Sequence, residues 1–121
     1  MLVKLFTAAV NGLDVRTVEA EVNISKGAKF SLVGLPDSAV RESYYRIKTA
    51  LHNSGFVLPT NQITINLAPA DIRKEGSGYD LPLSLGILAA QGAVDSNSLK
   101  RYMFVGELGL DGTLRPIRGA L

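Results

Sequence analysis

The stretch Pro69-Ala70-Asp71-Ile72-Arg73-Lys74-Glu75-Gly76-Ser77-Gly78-Tyr79-Asp80-Leu81-Pro82 is a charged turn carrying two glycines and a serine. Before it, Gln62 to Leu67 alternates Ile63, Ile65 and Leu67 with polar residues, the period of a strand with one buried face. After it, Leu81 to Gln91 is almost wholly apolar and includes Ser84, Gly86, Ala89 and Ala90. Small residues at those positions predict a helix packed closely on a sheet. Strand, turn and helix in that order predict a sheet layered against helices. A turn of this composition could hold a nucleophile, a phosphate or a partner chain, or only launch the helix.

Working outward, Leu2 to Ala9 is a β-candidate and Asn11-Gly12 a turn signal, because both residues tolerate positive φ. Val15 to Ile24 alternates Val15, Thr17, Ala20, Val22 and Ile24 with Arg16, Glu19, Glu21 and Asn23, which predicts a strand with one wet face. Lys26-Gly27 is a second turn and Phe30 to Val33 a third strand. Then Val40, Tyr44, Ile47 and Leu51 recur at helical spacing and define one apolar face. Asp37 is placed to cap that helix at its start and Gly55 to stop it. Met103 to Val105 reads as a fifth strand, and Leu108 to Pro116 as a hairpin turning at Asp111-Gly112. The order predicts an α+β fold, a mixed sheet packed with helices.

Composition narrows the function classes. The 121 residues suit one domain, and 46% hydrophobic content suits one core. Thirteen basic against eleven acidic residues leave a formal +2, too small to argue for nucleic acid alone. No cysteine is present, which excludes disulfides, thiolate metal sites and cysteine nucleophiles and is compatible with a cytoplasmic location. The apolar runs are far shorter than the roughly 18 residues that span a bilayer. The closing run Arg115 to Leu121 reads as the start of a continuing segment, so the chain is expected to be an excised N-terminal domain.

Neither G-x-x-x-x-G-K-[ST] nor G-x-G-x-x-G occurs, which argues against ATP binding within these residues. In the turn the bland alternative has Asp80 capping the helix. Ser77 lies near Lys74 in sequence, and Ser–Lys pairs do catalyse. His52 is the single histidine and has no special neighbours. No group of residues has metal-ligand spacing. On the first helix Arg41, Tyr45, Lys48 and His52 recur opposite the apolar stripe; basic groups interleaved with an aromatic can follow a phosphate backbone and stack on a base. Arg73-Lys74 and Lys100-Arg101 add basic pairs, while Glu42 and Arg46 are spaced to compensate one another.

Several segments together carry a resemblance. They are Phe6 to Gly12, Val33-Gly34-Leu35-Pro36-Asp37 with Val40-Arg41-Glu42-Ser43, Asn66 to Gly76, Tyr79-Asp80-Leu81-Pro82, and Gly106 to Gly112. In this combination the chain resembles the N-terminal, ChlI-like domain of the ComM/YifB family of magnesium-chelatase-like AAA+ ATPases. That domain is in turn similar to the Lon proteolytic domain and the RadA C-terminal domain. The resemblance implies the fold named after the second domain of ribosomal protein S five, with a left-handed βαβ unit. It also implies a single domain over residues 1–121, followed in the full protein by an AAA+ motor that holds ATP and Mg.

A Lon-like Ser–Lys peptidase is the alternative from another class. Lon peptidases carry a Lys-Asp-Gly-Pro-Ser-Ala-Gly turn. Laid over Lys74 to Asp80, its nucleophilic Ser falls on Gly78, and Ser77 falls one residue early. The Lys of the pair falls on Leu121. The resemblance therefore implies a non-catalytic domain with no cofactor of its own. It implies a homo-hexameric ATPase or helicase acting in DNA processing: natural transformation, recombination and branch migration. Candidate DNA contacts are Arg41, Tyr45, Lys48, Arg73 and Lys74, with Arg73-Lys74 displayed outward. Protein contacts and an oligomerisation role within the ring are the remaining alternatives.

Overall fold

A computed structural model describes residues 1–11 and 13–117. Its strands are β1 (Leu2–Asn11), β2 (Asp14–Ser25), β3 (Phe30–Val33), β4 (Gln62–Ala68), β5 (Glu107–Leu108) and β6 (Leu114–Arg115). Its helices are α1 (Ser38–Arg41), α2 (Ser43–Asn53), α3 (Asp80–Ala90) and α4 (Ser96–Leu99). The main sheet runs β1-β2-β4-β3, and β5 and β6 make a separate small hairpin. The α+β expectation holds at this level. Gly12, half of the expected Asn11-Gly12 turn, lies outside the described residues.

The register explains why one face of the sheet is dry. Val3 opposes Val22, Leu5 opposes Ala20 and Thr7 opposes Val18. Ala20 opposes Leu67, Val22 opposes Ile65 and Ile24 opposes Ile63. Directly opposed residues share a face, so the alternation in three strands converges on one core. Leu83, Ile87 and Ala89 of α3 join it. Gly86 is required at this contact, because a Cβ there would sit 2.6 Å from Val22 Cγ2 and 3.1 Å from Leu5 Cδ2. The opposite face is polar: Asn66 Nδ2 donates to Glu21 Oε1 at 2.8 Å, and Lys4 pairs with Glu21 at 3.7 Å.

β3 and β4 are parallel neighbours joined through α1 and α2. β3 therefore forms one edge of the sheet. The expected single helix is interrupted at Glu42, where Tyr45 N–H bonds the Glu42 carbonyl three residues back and tightens the turn. Asp37 caps the start as expected, its Oδ1 accepting from Val40 N–H at 2.8 Å. Gly55, at φ +87°, follows the end of α2.

Met103 to Val105 does not form the expected strand. Met103 makes one parallel bridge to Phe6, and Phe104 N–H bonds the Phe6 carbonyl at 3.0 Å. The chain then turns toward α3, where Gly106 N–H bonds the Gly78 carbonyl and the Gly106 carbonyl accepts from Leu81 N–H. Backbone groups used at the start of α3 cannot also extend a ladder along β1. Among the described residues, no helix is long and apolar enough to cross a membrane.

Candidate nucleic-acid interface

The charged turn is held from beneath by its own backbone and by the loop that follows β3. Lys74 N–H bonds the Leu35 carbonyl, and Asp37 N–H bonds the Lys74 carbonyl, each at 3.0 Å. This parallel bridge draws Gly34-Leu35-Pro36-Asp37 against Arg73-Lys74-Glu75. Gly34 has φ +109°, and a Cβ there would come within 2.2 Å of the Leu67 carbonyl oxygen. Only glycine fits such an approach.

Within this turn the expectations for two charges are corrected. Lys74 is not displayed outward: it is 0% exposed, and its ammonium donates to the Pro69 carbonyl. Burial pushes its pKa down, against a smaller opposing effect of Asp71. A lysine so placed has no exposed surface to offer DNA. Asp80 is not a capping residue either. The cap position is Tyr79, and Asp80 is the first residue of α3. Its carboxylate accepts from Arg46 Nε at 2.6 Å and Arg46 Nη2 at 3.0 Å, and from Leu108 N–H at 3.0 Å. This two-pronged pair ties α2, α3 and β5 together. It also replaces the expected compensation of Arg46 by Glu42. The hydrogen bond to Asp80 is the main cause of a raised Arg46 pKa.

The turn does not present a phosphate cradle. It borders an open cleft of about 490 Å³ lined by the carboxylates of Asp37 and Glu75 together with Ser77 and Gly78. Gly76 N–H points at Asp37 Oδ2, 3.4 Å away, so the residue that caps α1 stands where an anion would be held. Tyr79 is buried with its hydroxyl unpartnered among the described residues. Burial, then Asp37 and Glu75, push its pKa up to about 12.

Nor do the described residues form a Ser–Lys pair. At Gly78, where the peptidase serine would fall, a side chain would be tightly packed: an added Cβ would lie 3.0 Å from Val105 Cγ1 and 3.3 Å from Ile117 Cδ1, so both side chains would have to give way. The Lys74 ammonium is engaged with Pro69, and no hydrogen bond joins it to Ser77 among the described residues. Leu121, the counterpart of the peptidase lysine, lies outside the described residues.

A second region brings together what the first does not. Arg41, Tyr45, Lys48 and His52 are all exposed, Tyr45 by 69%. The sequence expectation put Tyr44 in the buried stripe. It is only half-buried: β3 is an edge strand, and among the described residues no further strand covers its flank. Its ring instead meets Phe30 of β3 at 4.6 Å between centroids and Tyr45 at 5.2 Å. Lys48 Nζ stands 5.9 Å from the Tyr44 centroid, within range of a cation–π contact.

Two depressions flank this aromatic group. One, of about 460 Å³, is lined by Leu32, Arg41, Glu42 and Tyr45 in addition to Phe30 and Tyr44. The other, of about 300 Å³, shares Phe30 and Tyr44 and adds Lys29 and Lys48. Phe30, Tyr44 and Lys29 were missed in the sequence, where nothing local links residue 30 to residue 44. Arg73 lies outside both depressions; it is exposed and 3.5 Å from Glu75, so part of its charge is met within the turn.

Comparison with known proteins agrees with the motifs. The family model described as subunit ChlI of Mg-chelatase matches residues 20–121. The chain is 46% identical over 116 residues to the YifB protein of Escherichia coli, covering 95% of this chain and 23% of that protein. It is 44% identical over 118 residues to the competence protein ComM of Haemophilus influenzae, covering 97% of this chain and 23% of that protein. It thus spans about a quarter of the length of these relatives. With the model matched over most of its length and such identity to YifB and ComM, the chain belongs to the magnesium-chelatase-like (ChlI) family.

Proposed function

We propose that this chain is the non-catalytic N-terminal domain of a magnesium-chelatase-like AAA+ ATPase that processes DNA, and that it contributes a DNA-contact surface beside the motor. The observation that carries this reading is the face formed by Arg41, Tyr44, Tyr45, Lys48 and Phe30. Cations there can neutralise phosphates, and exposed rings can stack on bases. The name of the Haemophilus relative, a competence protein, is consistent with work on DNA. In the full-length protein the ATP and Mg would belong to the AAA+ domain, and the working form would be a cytoplasmic homo-hexamer engaged in recombination and branch migration. The Lon-like fold with a left-handed βαβ crossover is part of the same proposal. So is the treatment of residues 1–121 as one domain.

Binding of labelled DNA to the 121-residue chain, followed by fluorescence anisotropy across a salt series, tests the proposal. Replacing Arg41, Lys48 and Arg73 with alanine should weaken binding and flatten the salt dependence by about 0.7–0.9 in log–log slope per lost phosphate contact. Lys74 is left intact, because it is buried. Unchanged affinity and slope would refute a DNA role for this face.

A further inference from the structure

We infer that the aromatic–basic face takes single-stranded DNA, with two neighbouring unstacked bases seated in the depressions on either side of the Phe30–Tyr44 pair. The inference rests on the DNA-contact reading above and sharpens it to one form of DNA. Phe30 and Tyr44 line both depressions and so form the ridge between them. Their planes are inclined at 51°, so the two rings do not lie flat on one another. Tyr45 adds a third ring, edge-on to Tyr44 at 71° and largely exposed.

Rings exposed in this way have little to gain from a duplex, whose base faces are already stacked on one another. They gain from bases that are free to leave the stack, and every base has a face to offer. The charges fit a single strand as well. Arg41 lines one depression, and Lys29 and Lys48 line the other. Against these three cations stands one lining carboxylate, Glu42, leaving the surface net positive. Glu42 can accept a hydrogen bond from an exocyclic base amine, and the cations can meet the phosphates on either side. Among the described residues no strand pairs with the outer edge of β3, which leaves room for an extended chain along this flank.

The test compares a labelled oligo-dT, a duplex of equal length and an oligo-U, by anisotropy at one fixed salt concentration. The variants are Tyr45→Ala, the ring-removing pair Phe30→Leu with Tyr44→Leu, and the pair Arg41→Ala with Lys48→Ala. Tyr45→Ala changes an exposed side chain, so its result does not depend on how well the half-buried rings tolerate replacement. Removing a ring should weaken oligo-dT binding by about fivefold or more and leave duplex binding almost unchanged. Removing the two cations should weaken both. If the ring variants bind oligo-dT like the parent while the cation pair weakens both ligands, the single-strand inference is overturned and the DNA reading stands. If the cation pair alters neither, the DNA reading fails as well. Tighter binding of oligo-U than of oligo-dT by the parent would overturn the choice of DNA.

Discussion

The charged turn and the aromatic–basic face are built from similar residues and put them to opposite uses. In the turn, Lys74 and Asp80 are fully buried, and their charges are spent on a carbonyl oxygen and on Arg46. On the face, Arg41 and Lys48 stay in water, next to rings that the sheet edge leaves partly uncovered. A run of charges is therefore not a site in itself. What decides is whether the surrounding backbone offers those charges a partner inside the fold. Where it does, the charge contributes to architecture. Where it does not, the charge is free to meet a ligand.

The largest expected break in this contrast is at Asp80. Asp80→Ala would leave Arg46 half-buried without its partner and Leu108 N–H without an acceptor. Loss of about 3–5 kcal/mol is expected in urea denaturation. A loss under about 1 kcal/mol would show that the pair is not the tie described here.

Next comes Gly34→Ala, which sets a Cβ against the Leu67 carbonyl at a positive φ. A loss of about 2–3 kcal/mol is expected in thermal or urea unfolding. It would come from the loop that holds the charged turn.

Lys74 sharpens the contrast through pH. Its pKa is depressed in the folded chain, so the unfolded chain binds more protons between the folded value and the ordinary lysine value. Stability then rises with pH through that window, and the penalty for burying the ammonium is fully present below it. The stability of Lys74→Met relative to the parent should be most favourable near neutral pH, and this gain should shrink as the pH approaches the ordinary lysine range. A gain that stays constant or grows across the same range would contradict the burial of this charge. The smallest effect belongs to the exposed face. Arg41→Ala with Lys48→Ala should change stability by no more than about 0.5 kcal/mol. A larger loss in the same unfolding measurement would mean that these cations are structural too.

Much of this was legible in the sequence. The β1 candidate, the alternation in β2 and β4, the small residues of α3 and the Asp37 cap are local patterns, and each was read at or near its observed bounds. The family motifs were legible as well. The site was less so. Arg41, Tyr45 and Lys48 were placed correctly on an exposed face because helical spacing is a local property. Phe30, Lys29 and the partial exposure of Tyr44 were not visible, since they depend on which strand lies at the sheet edge. The short helix α4 was overlooked, although Asp95 before Ser96, its side chain accepting from Asn97 N–H, is an ordinary start signal.

By itself the sequence determined the layers, the apolar face of each strand and the family, because periodicity and motif spacing are written along the chain. Only the tertiary structure decided the fate of the charges. Arg46 and Asp80 lie 34 residues apart, and Glu42, at the right helical spacing, was the nearer candidate. Lys74 looked like a surface lysine until its backbone was seen bridged to Leu35 and Asp37. Whether a charged side chain faces water or protein depends on which distant segment closes over it, and that follows from strand order and loop closure rather than from local composition.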